Sequence, residues 1–484
     1  MTPEVDVAVV GAGMAGLTAA HELRRAGLSV RVYEQLPQVG GRMRSVRHEG
    51  WTVDTGAEQV EPRGYRATWE LLRRVGATPA DVPRVGGGVA VWRGGRAHPG
   101  VGEPTAVLTG AGLSARARRD LAAFTAWTGR RRARFDGDRP EGSPLGAATL
   151  RETAARYHPD LHDYLLQAVA GCFFGWDTAR SAAAPLVSLL LETGSPSGWR
   201  TYRDGMDFLA RRLAAGTDVV TGRPVREVTD AGGHAVLRFD DGEVRARAAV
   251  LAVPAPVALA LRPDAPAEER PFLTACAFTP MMKVSCLLDR PLAPPARRPV
   301  HILLTPAVEE DALSGVVVDH AKDPGRAPAG RGLVTLVASP RRVRELLDAA
   351  PEEAADVLVR AAERYVPGIG GARRHHLVHA FRHGLPEATP QALRERPGFV
   401  ARPVRAVEYA GDWLMLRPAS EGAVRAGALA ASRVLSRLGR HRPSGPDRTE
   451  EPAEDRADDR PWKRSEDRAD DRPGERSEEI RATA

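Results

Sequence analysis

Residues 11–16 read Gly11-Ala-Gly13-Met-Ala-Gly16, and Glu34 follows Gly11 by 23 residues. Each residue type in this spacing has a use at a pyrophosphate. Gly11 permits a tight turn, Gly13 lets backbone approach the phosphates, and Gly16 allows a helix to pack closely on a strand. Gly11, Gly13, Ala15 and Gly16 are therefore the candidate contacts. A helix that starts here turns its positive dipole end toward the phosphates. A carboxylate at Glu34 accepts hydrogen bonds from an adenosine ribose and disfavours a 2′-phosphate. The chemistry indicated is binding of a dinucleotide.

Three further constellations stand out. Val39-Gly40-Gly41-Arg42-Met43-Arg44-Ser45 offers a second close backbone approach, and the Arg42 guanidinium suits a pyrophosphate. Tyr409-Ala-Gly411-Asp412-Trp413 is followed, eight residues after Asp412, by Ser420-Glu421-Gly422-Ala423-Val424-Arg425-Ala426-Gly427. Lys283 lies within apolar sequence, Pro280-Met-Met-Lys283-Val284. Only Lys283, Lys322 and Lys463 are lysines among 69 basic residues, so a lysine kept inside an apolar run points to a specific task. Lysine is a compact point charge whose pKa responds to burial, unlike arginine.

Alternating elements must position these residues. Val5–Val10 reads as a strand, Met14–Ala26 as a helix and Ser29–Tyr33 as a second strand. Val219–Val220, Val225–Val228 and Ala235–Phe239 are strand candidates around the Asp241-Gly242 turn, followed by the apolar run Ala248–Val253. Residues 145–191 and 351–365 are helical in pattern, and Val284–Leu288 and Gly332–Ala338 read as strands. The expected class is α/β. A Rossmann-like cofactor domain is assembled from residues 1–75, 200–270 and 395–440. A mixed α+β substrate domain, residues 76–199 and 271–394, is inserted between those pieces. Residues 441–484 repeat EDRADDRP and carry ten basic and fourteen acidic residues, so disorder is expected there.

The whole chain has 484 residues, 43% apolar, with a net charge of +7. That composition supports a sizeable core and excludes collagen, coiled-coil and wholly disordered classes. Residues 1–440 carry +11, which suits a phosphate-bearing cofactor or an acidic substrate. Arginine abundance accompanies abundant Ala, Gly and Pro, a GC-rich coding pattern, and nucleic-acid binding is not expected. No run nears the ~20 apolar residues of a membrane span, so no stable membrane insertion is expected. Met1–Val10 is too short for a secretory signal, and three cysteines give neither a disulfide framework nor metal-ligand spacing. No metal site and a cytoplasmic location follow as expectations.

With the first glycine motif, GGRMRS, Val53-Asp54-Thr55-Gly56-Ala57-Glu58, Val250–Pro256 and the GDW…SEGAVRAG ending, residues 4–437 resemble one flavoprotein group. It is the FAD-dependent amine oxidase, protoporphyrinogen oxidase and phytoene desaturase superfamily. The resemblance implies FAD as cofactor and hydride transfer from a small, largely apolar metabolite to flavin N5, with O2 the expected electron acceptor. Either C–C desaturation or C–N oxidation, in specialised metabolism, fits it. It places Gly41 and Arg42 at the phosphates, Gly56 and Ala57 near the flavin, and backbone of Val225 at the adenine. It sets Gly411 and Asp412 at the ribityl chain, and Glu421, Gly422 and Ala423 at the start of a helix facing the flavin. Lys283 matches the lysine that holds a water at flavin N5, and the segment with Arg382 and His383 resembles one placed over the flavin, where either residue would meet substrate; Lys283 and His383 are the catalytic candidates. Pro418-Ala419-Ser420 departs from the aromatic residue that monoamine oxidases carry there, which puts a two-tyrosine cage in doubt. No cysteine follows Cys286, so the FAD is expected to be noncovalent. The Cys172-Phe-Phe-Gly-Trp176 cluster suits either a pocket wall or plain core. A homodimer is compatible with this reading. The alternatives are a flavoprotein with net non-redox chemistry, and a non-catalytic dinucleotide-binding module.

Overall fold

The computed structural model describes residues 4–440. The expected disorder of residues 441–484 falls outside that range. The described chain is mixed α/β with two seven-stranded sheets and one two-stranded sheet.

The first sheet runs in the order Asp218–Val220, Val30–Tyr33, Val5–Val10, Gly242–Leu251, His234–Phe239, Glu227–Ala231, and Val407–Tyr409 also pairs with Gly242–Leu251. Val7 and Val9 align with Val30 and Val32 on one side and with Ala248 and Val250 on the other. Apart from Asp6 and Arg31, the strands Val5–Val10 and Val30–Tyr33 are apolar, because helices cover the sheet. Five strands run parallel, so Val10, Tyr33, Val220, Leu251 and Tyr409 end together. Gly11, Glu34 and Gly411 follow those ends directly, and ligands bind beyond the carboxyl ends of such strands. The helices Met14–Arg25 and Ser420–Arg437 cross closely, since a Cβ on Gly427 would stand 2.3 Å from the Ala15 carbonyl oxygen.

Two strands depart from expectation. The segment 225–228 becomes strand only from Glu227, because Gly222 and Arg223 N–H groups are donated to the carbonyls of Leu36 and Glu34. That commitment carries the chain past the end of the Val30–Tyr33 strand and leaves Val225 buried outside the ladder. The run at 248–253 is the end of a longer strand, Gly242–Leu251, which first pairs as a hairpin with His234–Phe239.

The second sheet runs Arg373–Glu387, Ala277–Leu288, Gly332–Ala338, Leu313–Val318, Val300–Leu304, Gly88–Arg93, Arg96–Pro99. Side chains alternate across a strand. Met282, Val284, Cys286 and Leu288 enter the core beneath the helix Pro351–Ala362. Met281 faces the other way, into the core with Val317, Val337 and Cys172 of the helix Gln167–Phe174. Lys283 shares the Met281 face by the same alternation.

Candidate active site

The glycine motif adopts the conformation its residues allow. Gly11 has φ +100°, and a Cβ there would lie 2.7 Å from the Ala252 carbonyl oxygen. A Cβ on Gly16 would lie 2.0 Å from the Gly11 carbonyl oxygen, so the helix can begin this close to the strand only with glycine. Gly13 is different, because nothing stands within 4 Å of where its Cβ would be. Open space therefore flanks the helix start, as a bound phosphate requires. Ala15 is buried behind it. Glu34 is buried and accepts hydrogen bonds from the N–H groups of Ala12, at 2.8 Å, and Leu36, at 2.9 Å. Gly40 and Gly41 both have positive φ, and Gly40 pairs with Gly13 in an isolated bridge. The two glycine turns thus line one cradle.

Arg42 crosses from that cradle to the far end of the strand set. Its two terminal nitrogens each donate to one oxygen of Asp412 at 2.8 Å, and Nη1 also donates to the Gly384 carbonyl at 3.0 Å. This bidentate pair brings Arg42, Asp412 and Gly411 together across 370 residues of sequence. Gly56 is seated against Arg42, since a Cβ there would stand 2.1 Å from the Arg42 carbonyl oxygen. Ala57 N–H donates to that same oxygen at 3.0 Å.

The end of the site is built by the turn after Asp412. Residues 412–415 form a 3-10 turn, Leu416 follows at φ +48°, and buried Arg417 pairs with Glu192 and donates to the Gly64 carbonyl. Gly422 packs under Arg417, and Ala423 is buried in the first turn of its helix. Glu421, expected at the cofactor, opens its helix with a buried carboxylate. Its carboxylate accepts from Ala67 N–H at 3.1 Å and from Thr68 N–H and Oγ1 at 2.8 Å, and pairs with Arg425. It therefore satisfies the free N–H groups at the start of the helix Arg66–Arg74, which has no side-chain cap of its own.

The second sheet delivers Lys283. Its ammonium donates to the Gly56 carbonyl at 2.5 Å and pairs with Glu58. Glu58 also pairs with Lys322, whose ammonium lies 3.0 Å from Asp54 and 3.0 Å from Asp319. Burial alone would raise the Asp54 carboxyl. Lys322 and Arg326 outweigh it and hold that group at about 2. Carboxylate oxygens of Asp54, Glu58 and Asp319 lie within 4.8 Å of one another, and Lys322 takes the central place that a cation would fill. Glu58 and Lys322 were not singled out from the sequence. The rarity of lysine, which marked Lys283, marks Lys322 equally.

The strand Arg373–Glu387 carries the histidines. Met281 pairs with Phe381 and Thr279 with Leu385, so Arg382, His383 and Gly384 bulge opposite Pro280 alone. Proline has no N–H to give the ladder, and the bulge is the consequence. It frees the Gly384 carbonyl for Arg42. Arg382 pairs with Asp348 at the surface. The half-buried His383 ring stands edge-on to Phe278, with centroids 5.8 Å apart. His379 is the histidine paired in register with Lys283. Its Nε2 has no protein partner, and burial, with Lys283 and Arg44 nearby, pushes its pKa down to about 4.

The cluster Cys172–Trp176 lies on the same side as Met281 and Lys283. Cys172 and Trp176 are core, whereas Phe173 and Phe174 are only partly buried. A Cβ on Gly175 would meet the Met281 sulfur at 2.5 Å. Phe173 packs with Met281 on the face of the sheet that carries Lys283.

Residues 14–435 match the family described as flavin containing amine oxidoreductase. The chain belongs to that family. FAD is its cofactor. Among curated relatives, a Mycobacterium tuberculosis protein named as a flavin-containing monoamine oxidase, AofH, is 29% identical over 278 residues. That match covers 54% of this chain and 60% of the relative's length. An L-amino-acid oxidase of Echis ocellatus is 44% identical over 73 residues, 15% of this chain and 14% of the relative. Cyclohexylamine oxidase of Brevibacterium oxydans shares the fold with a TM-score of 0.73 at 18% identity, covering 90% of this chain and all of that one. A protoporphyrinogen oxidase-like structure from Exiguobacterium gives 0.67 at 18%, covering 91% of this chain and 100% of that one. No helix among the described residues is long and apolar enough to cross a membrane.

Proposed function

We propose that this flavoprotein oxidises a small, largely apolar metabolite by removing a hydride from carbon, at a C–C or C–N bond. The observation that carries the reading is Lys283, a buried ammonium held against the Gly56 carbonyl with the half-buried Phe173 on its side of the sheet. Bound FAD supplies the two-electron acceptor. The chain supplies the rest. Gly11, Gly13, Ala15, Gly16, Gly41 and Arg42 hold the pyrophosphate, Glu34 the adenosine ribose, Val225 the adenine, and Asp412 the ribityl chain. Gly56, Ala57, Gly411, Gly422 and Ala423 give the cofactor room. Lys283 holds a water at the reacting end, and apolar side chains keep the pocket dry. His383, edge-on to Phe278, is the second catalytic candidate, and His379, paired in register with Lys283, faces it as a neutral ring.

On this reading residues 1–75, 200–270 and 395–440 form the cofactor domain and residues 76–199 and 271–394 the substrate domain. The FAD is noncovalent: all three cysteines are buried, and burial pushes the Cys172 and Cys286 thiols up to about 12. O2 would be the electron acceptor, the cytoplasm the location, and a homodimer fits the reading. Anaerobic mixing of the FAD-loaded protein with a panel of amines and polyenes tests the proposal. Bleaching by one compound class supports it and chooses the bond. Bleaching by none, with FAD fully bound, refutes it.

A further inference from the structure

Glu58 divides its carboxylate between two lysines. Oε1 meets the Lys283 ammonium and Oε2 meets the Lys322 ammonium. An ammonium has three N–H donors, and Lys322 has three carboxylates around it, Asp54, Asp319 and Glu58. Arg326 spans both oxygens of Asp54, with Nη1 3.2 Å from Oδ1 and Nη2 3.1 Å from Oδ2, the oxygen Lys322 also takes, and Thr335 donates to Asp319 at 2.8 Å. Three cations, Lys283, Lys322 and Arg326, therefore face three carboxylates. Lys322, Asp54, Asp319 and Arg326 are each at most 1% exposed.

Buried ion pairs add little net stability, because desolvation offsets their attraction, and apolar side chains of equal volume often serve as well. What such a network does is fix geometry. A Glu58 carboxylate with Lys283 as sole partner would be free to turn. With Lys322 on its second oxygen, both oxygens are fixed, and the position of Lys283 is fixed with them. Resting on the reading of Lys283 given above, we propose that Lys322 is a positioning residue for the oxidation. Through Glu58 it holds the Lys283 ammonium at the Gly56 carbonyl.

Because the chain has only three lysines, the FAD-loaded protein labelled with 13C at lysine Cε gives three signals. Lys463→Arg and Lys283→Met assign them. Asp319→Asn touches Lys322 without touching Glu58 or Lys283, and it is expected to shift the Lys283 signal. Lys322→Met is expected to shift it further. Thr335→Val, which removes a neutral hydrogen bond from the same carboxylate, leaves it near its original place. FAD reduction by the bleaching compound is expected to slow about tenfold or more in Asp319→Asn and Lys322→Met, with FAD content unchanged. A Lys283 signal that stays put in folded Asp319→Asn overturns the proposal, and that variant decides even if Lys322→Met fails to fold. If Lys283→Met reduces its FAD at the normal rate while the signal still follows Asp319→Asn, the coupling stands and the catalytic reading of Lys283 falls.

Discussion

The Arg42–Asp412 pair offers a prediction with a magnitude. Both contacts are 2.8 Å and bidentate, Asp412 is buried, and the Arg42 side chain is 30% exposed. Breaking a fully buried pair costs about 3–5 kcal/mol. With roughly a third of the guanidinium in solvent, about 2 kcal/mol is the better figure for Arg42→Met in the apoprotein. Urea unfolding of Arg42→Met, Asp412→Asn and the double variant should give a coupling energy of about 1.5 kcal/mol. In the same variants, FAD titration of the apoprotein reads the second role of Arg42. One charge-assisted contact to a phosphate contributes about 1.5–3 kcal/mol, and part of it is offset by loosening Asp412. Arg42→Met should therefore raise the Kd for FAD about tenfold to a hundredfold. An additive cycle, together with FAD affinity within about threefold of wild type, would refute both assignments.

Gly16→Ala puts a Cβ 2.0 Å from the Gly11 carbonyl oxygen. It should cost about 3 kcal/mol by overpacking and release FAD, seen as a lower melting temperature and a colourless protein. His301 is buried, and burial, with Lys322 nearby, pushes its pKa down to about 4. Unfolding restores the ordinary value of about 6.5, so the unfolded state binds the extra proton between those limits. Stability present above pH ~6.5 is then lost as the pH falls toward ~4, by about 3 kcal/mol. Urea unfolding at neutral and acid pH should show that loss, and His301→Gln should shrink it; an unchanged loss in the variant contradicts the assignment. Lys283→Met should keep bound FAD but slow its anaerobic reduction by substrate about a hundredfold or more, measured by stopped-flow absorbance.

The cradle was legible because its cause is local. Gly11, Gly13, Gly16 and Glu34 lie within two strands and a helix, and glycine is required there by backbone geometry that spacing alone reveals. Asp412 was legible for the same reason, at the end of a short strand. The charge network was not, because Lys322 reaches Glu58 across 264 residues. Its only trace in the sequence is a lysine where arginine is the rule. The contacts of the Glu421 carboxylate with Ala67 and Thr68 were not legible either, because they join residues 354 and 353 apart. His379 escaped because its partner is set by antiparallel register with Lys283, and the bulge at Pro280 shifts His383 out of that series.

The most direct test of a noncovalent FAD oxidoreductase is the visible spectrum of the purified, FAD-loaded protein. It is recorded before and after acid precipitation, and again on anaerobic addition of amines and polyenes. The account predicts flavin bands that move entirely to the supernatant and bleach with one class of compound. A protein that takes up no FAD, or whose bound FAD no such compound reduces, contradicts it.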